Sequence, residues 1–385
     1  MKKLLCLIVF SLLILTWCDN TPPPEPKNNN IPNQNIENPD IQTDDYEFIE
    51  QTDNPIVSSI DDKIKSDSMW CGTFQLVWNE MIDNVVLRSI VFKPQLIQAE
   101  NLNKKTFTTD ELSEDSYYLT YWLFTKTLKK VIEDWIKEKF NETSSILNLL
   151  DWDSAPATDA WYPEWGQKQY VFYTMLKKVF TFDKEFDTLD PAKFDDKYND
   201  IEYFWINYDS FDGLRSQVKV LYYNSEDDFA VVLKTNEWED IILSRWIMED
   251  TFMNSYKKIL AKSEEFDWIK YFRDEDYLKV PKLSINVLRM YDEFTNRDFY
   301  DILWNRGNIE KAVQTIEFDL DEKWWQIKSE AMMAMTNDAM VDVSFEKPVH
   351  RYFYFDKPFM IFLKEENKNL PYFAAQVTDI TKFQK

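Results

Sequence analysis

The chain has 385 residues, 44% apolar and 16% aromatic, enough for one large domain or two ordinary ones with a substantial core. Its formal charge of −24, with no cluster of Lys and Arg beyond the first residues, excludes nucleic acid as a partner, because phosphate neutralisation needs grouped cations. One histidine, His350, removes most metal and triad chemistry, and no cofactor and no enzymatic activity are implied.

Residues 1–17 read as a secretory leader, with Lys2 and Lys3 before a short apolar run from Leu4 to Leu15 that is too brief to span a bilayer comfortably. Leu15-Thr16-Trp17-Cys18 is similar to a bacterial lipobox, which implies cleavage before Cys18 and lipidation of its thiol. Residues 18–60 form a Pro- and Asn-rich tether whose composition cannot bury a core. The expected localisation is therefore the extracytoplasmic face of a bacterial cell envelope, with the membrane as a partner through the lipid. Cys6 lies in the leader, so Cys71 has no intrachain disulfide partner and is read as a small buried apolar residue.

The folded domain is expected over 61–385. Phe74, Val77, Trp78, Met81, Ile82 and Val85 recur at helical spacing, and a strand is expected over 87–92. Leu128, Val131, Ile132, Trp135, Ile136 and Phe140 mark a second amphipathic helix, and Phe172, Met175, Leu176, Val179 and Phe180 a third. Beyond Asp183 the pattern turns strand-like. Segments 218–223 and 229–233 flank a five-residue hairpin loop, a short helix follows near Phe252 to Leu260, and Leu283, Ile285 and Val287 alternate on a strand that starts at Pro281. The last quarter offers a strand over 313–320, an acidic turn at Asp321 and Glu322, a long segment rich in Met and small residues, an aromatic strand over 352–363 and a final strand over 372–377. Long unstructured segments of this kind tend to carry function. Mixed helices and hairpins predict an α+β fold. No phosphate-binding glycine loop is present, and carboxylate pairs such as Asp61-Asp62 and Asp227-Asp228 are expected by chance in a chain with 68 acidic residues.

Glycine occurs only 4 times, where about 7% of residues is usual, while tryptophan occurs 15 times. Trp17, Trp246, Trp304, Trp324 and Trp325 stand where glycine is expected, before the lipobox cysteine or at turns. This pattern suggests a chain from an organism that reads UGA as glycine, written here with UGA as tryptophan. An aromatic-rich protein is the alternative.

Several segments of the second half resemble serpins. The run 280–285, Val-Pro-Lys-Leu-Ser-Ile, is similar to the serpin strand with a Pro-Lys pair, and 311–323 resembles the strand that enters the reactive-centre loop and ends in its acidic turn. Ser329, Glu330 and Ala331 match the start of the loop hinge, 355–363 matches the C-terminal signature strand, and the hairpin at 218–233 fits a serpin sheet B. The resemblance covers about 218–385. In the N-terminal half, Phe74 to Glu80 with 70–73 before it resembles a group of uncharacterised clostridial lipoproteins.

The resemblance implies a serpin-like α+β fold, with helices packed on antiparallel sheets and an exposed reactive-centre-like loop. It implies a monomeric inhibitor of a serine or cysteine protease, acting by loop cleavage and insertion. A non-inhibitory surface or binding lipoprotein is the alternative. Insertion needs uncharged side chains on alternate hinge positions. Ser329, Ala331, Met333 and Met335 meet that need, although two methionines are bulky, and residues 324–328 are extra. Met340, Val341, Lys347 and Arg351 are the candidate bait region, each with a solvated loop residue as its alternative reading.

Overall fold

A helix buried on nearly every side opens the main core. Helix α1, Thr73–Met81, buries Phe74, Leu76, Val77, Trp78 and Met81, and its polar Thr73, Gln75 and Asn79 are buried with them, so it is enclosed on almost all of its circumference. Its two buried amides are satisfied: Gln75 Nε2 donates to Leu102 O at 2.7 Å and Asn79 Nδ2 to Phe107 O at 2.8 Å. The computed structural model describes residues 49–50, 56–141, 147–148, 151–159, 167–322 and 350–384, within a folded unit that runs from Phe48 to Lys385. Strand pairing thus begins upstream of residue 61.

Strands β1 (Ile49–Glu50), β2 (Ile56–Val57) and β3 (Met69–Cys71) precede α1, and α2 (Ile97–Asn103), β4 (Tyr117–Thr120) and α3 (Lys126–Phe140) follow it. Then come β5 (Lys168–Val179), β6 (Asp187–Phe194), β7 (Tyr198–Ile206), β8 (Val218–Ser225), β9 (Asp228–Lys234), β10 (Glu239–Arg245) and α4 (Phe252–Glu265). The chain ends through β11 (Asp276–Pro281), β12 (Leu283–Met290), β13 (Asp298–Tyr300), β14 (Arg306–Leu320), β15 (Arg351–Tyr354), β16 (Phe359–Glu365) and β17 (Phe373–Val377). Helix α3 begins at Thr125, whose hydroxyl accepts from Leu128 N at 3.1 Å, and α4 begins at Thr251, which caps Asn254 N in the same way.

Three sheets result. The first has the order β1-β12-β14-β5-β4, with β13 also on β14; the second runs β2-β3-β17-β16-β10-β9-β8; the third runs β15-β11-β7-β6. Most pairs are antiparallel, but β5·β14, β1·β12, β2·β3 and β11·β15 are parallel. The main core joins residues from all three sheets and α1, with Phe318 of β14 meeting Phe373 of β17 edge-on at 4.9 Å. A second, smaller core lies between α3 and the first sheet, where Leu128, Ile132 and Ile136 meet Val171, Tyr173, Met175, Leu288 and Val313.

The α+β expectation holds, with several local corrections. The third expected helix is strand β5. Buried between two cores, it is apolar on both faces, and such a strand mimics a helical stripe. No strand forms over 87–92, because α1 runs on through a π turn that ends at Leu87 with φ 55°, a left-handed stop. The 218–233 hairpin closes through Glu226 and Asp227 alone, because both strands extend further than their apolar cores suggest. Pro281 ends β11 instead of opening a strand, and the aromatic run 352–363 divides into β15 and β16 in different sheets.

Candidate functional site

The strand that leads into the long Met-rich segment is the centre of the first sheet. β14 lies between β12, antiparallel to it, and β5, parallel to it from Gly307 opposite Lys168 to Asp319 opposite Val179, with a one-residue register shift between Ile309 and Lys311. Its side chains are buried to both sides, Ile316 and Phe318 in the main core and Val313 under α3. Gly307 holds close contact there, since a Cβ would come within 2.7 Å of the Phe299 ring.

Beneath the parallel pair runs a buried polar strap. Gln314 of β14 donates to Thr73 Oγ1 at 2.7 Å and to Cys71 O at 3.1 Å, and accepts from Tyr291 OH at 2.6 Å. Thr73 in turn donates to Thr174 Oγ1 of β5 at 3.3 Å, and Thr174 is the register partner of Gln314. The N-terminal residue of α1 therefore bridges the two strands from below. Burial pushes the Cys71 thiol up to about 11, which makes it inert as a nucleophile and fits its reading as a small buried residue.

The described residues that flank 323–349 are tied to β11 and to the residue that joins it to β12. At the exit, Glu322 forms an ion pair with Lys282, Nζ to Oε2 2.9 Å, and Lys282 also meets Glu202 at 3.0 Å. Lys282 is the single residue between β11 and β12, where the chain passes from the third sheet to the first. Burial would pull its ammonium down, but Glu322 and Glu202 together hold it above the ordinary lysine value.

At the return, Arg351 is fully buried. Its Nε donates to Asp276 Oδ1 at 3.0 Å and its Nη2 to Oδ2 at 2.5 Å, while Nη1 and Nη2 reach Ile269 O at 2.8 Å and Tyr271 O at 2.9 Å. Burial would raise the Asp276 carboxyl, yet Arg351 and Arg273 hold it below the usual aspartate range. This placement removes Arg351 from the candidate bait residues: a side chain with its donors committed inside the fold cannot enter a protease pocket. His350, beside it, is exposed and contacts Glu275 O through Nδ1 at 3.1 Å.

Cys18, Ser329, Glu330, Ala331, Met333, Met335, Met340, Val341 and Lys347 lie outside the described residues. The structure brings together instead Lys282 with Glu322, Arg351 with Asp276, and Gln314 with Thr73 and Thr174. Sequence reading singled out none of these as partners. The sequence marks them only by the Pro-Lys pair at 281–282 and the acidic turn at Asp321 and Glu322, and neither motif by itself points to an ion pair.

No family model and no curated protein matches the chain. In three dimensions it is similar to serpin 48 of the insect Tenebrio molitor, with a TM-score of 0.46, 12% identity, and 81% of this chain and 92% of that one covered. It is similar also to serpin-12 of Manduca sexta, with a TM-score of 0.42 and 14% identity over 77% of this chain and 75% of that one. Uncleaved ovalbumin is a further similar structure, with a TM-score of 0.41 and 12% identity over 68% and 72%.

Proposed function

We propose that this protein is a lipid-anchored, extracytoplasmic serpin-like protease inhibitor whose 323–349 segment is the bait. The observation that carries the reading is the parallel pair of β5 and β14 at the centre of the first sheet. A segment that leaves the C-terminal end of β14 and folds back runs antiparallel to both strands. It can enter between them and gain a hydrogen-bond ladder on each side. The chain leaves at Glu322 directly beyond β14, which is where such a strand has to start. The alternating uncharged residues Ser329, Ala331, Met333 and Met335 suit an inserted strand, and cleavage by the target frees the segment to move. Lipidation at Cys18 and the tether up to the folded unit would hold the inhibitor near the membrane.

A second reading, a non-inhibitory binding lipoprotein, is favoured by the bulk of Met333 and Met335, which costs packing if they must enter the core. Incubation with a panel of serine and cysteine proteases separates the two. A protease-linked band that survives SDS supports inhibition; cleavage of 323–349 by every protease tested, with full turnover and no such band, supports the second reading.

A further inference from the structure

We infer that the natural protein carries glycine at positions 238, 246 and 304, and that the tryptophans written there stand for codons its organism reads as glycine. The inference is independent of the inhibitory reading and rests on backbone geometry.

Among the described residues eleven have a positive φ, and none of them is glycine, the residue that adopts this region at no steric cost. Six are Asp or Asn, which tolerate it; three are Trp238 (φ 62°), Trp246 (φ 81°) and Trp304 (φ 66°). A bulky aromatic residue is a poor occupant of this region, yet tryptophan supplies three of the five remaining cases.

Two of the three sites are hairpin loops of the same design. Thr235 N donates to Glu239 O at 3.2 Å and closes a three-residue loop whose last residue is Trp238. Asp301 N donates to Asn305 O at 3.1 Å and closes another whose last residue is Trp304. In the second, Trp304 N also donates to Asp301 O at 3.1 Å, the bond of a type I turn. A type I turn followed by a left-handed residue is the usual three-residue hairpin, and glycine is the residue its last position demands. Trp246, directly after β10, has the largest φ of the set.

The side chains fit the same division. Trp238, Trp246 and Trp304 are each 72% exposed, and the ring contacts of Trp304, to Arg88 and Tyr300, are made at the surface. Trp78 and Trp152 are buried, and each donates its indole N–H, to Asn103 Oδ1 and to Leu147 O. They behave as true tryptophans. The described residues written as glycine, 72, 213 and 307, serve close packing at negative φ. Among the described residues, the glycines that are written serve packing, and none stands at a positive-φ turn.

The test is peptide mapping by mass spectrometry of the protein isolated from the organism that encodes it. Glycine at 238, 246 and 304 with tryptophan at 78 and 152 is the expected result. Tryptophan at any of the first three positions, or glycine at either of the last two, overturns the assignment. Recombinant protein gives a second reading: Trp238→Gly, Trp246→Gly and Trp304→Gly should each raise Tm while Trp78→Gly lowers it, and anything but a rise at the three counts against the inference.

Discussion

Lys282 Nζ lies 2.9 Å from Glu322 Oε2, so the one residue between β11 and β12 is tied to the point where the chain leaves β14. The pair is mostly shielded, with side-chain exposures of 24% and 11%. Lys282→Met should lower stability by about 1–2 kcal/mol, because it also leaves Glu322 half-orphaned. A double-mutant cycle with Glu322→Gln in urea unfolding should give a coupling of about 1 kcal/mol. Additive losses would mean that the contact holds nothing.

The anchor at the other end is stronger. Arg351→Ala leaves the fully buried Asp276 carboxylate with Arg273 as its remaining cation and the carbonyls of Ile269 and Tyr271 without their donor, and should cost about 3 kcal/mol. Arg351→Lys should recover little, since one ammonium cannot reach Asp276, Ile269 O and Tyr271 O together. Denaturant midpoints of the two variants check this.

The two anchors fail on opposite limbs of a pH profile. The Asp276 carboxyl is depressed in the folded state, so its contribution is complete above the unfolded aspartate value of about 3.9 and is lost as pH falls through the lower folded value. The Lys282 ammonium is raised, so its contribution is complete below the unfolded lysine value of about 10.4 and is lost as pH rises through the folded one. In Tm-against-pH curves, Asp276→Asn should be less stable throughout but flatter on the acid side. Lys282→Met should flatten the alkaline side.

Gln314 closes the strap beneath the parallel pair. Gln314→Leu removes the partner of Tyr291 OH and the donor to Thr73 and Cys71 O in a fully buried site, and should cost about 1–3 kcal/mol. The urea midpoint should fall with an unchanged slope.

How much of this was visible in the sequence depends on how one-sided each segment is. Helices α3 and α4 were legible because only one face of each is apolar, with a threonine at the start that caps the first turn. The segment 168–179 was not, because Phe172 reaches the main core and Tyr173 and Met175 the second, so neither strand alternation nor a polar face remained. Strand β14 and its acidic end were legible, but the partners of Glu322 and Arg351 were not. Lys282 and Asp276 are ordinary charged residues in an acidic chain, and only the fold brings them beside Glu322 and Arg351, 40 and 75 positions away. The unusual positions of tryptophan were visible in part: Trp246 and Trp304 stood out at turns, whereas Trp238 was recognised only by its backbone.

The central claim, that the segment after β14 can enter between β14 and β5, is tested most directly by cutting it. Limited proteolysis confined to 323–349, followed by thermal unfolding of the nicked protein with its fragments still associated, should show a Tm well above that of the intact chain, because a new central strand adds two ladders of hydrogen bonds. A nicked protein that unfolds at or below the temperature of the intact one would contradict the account.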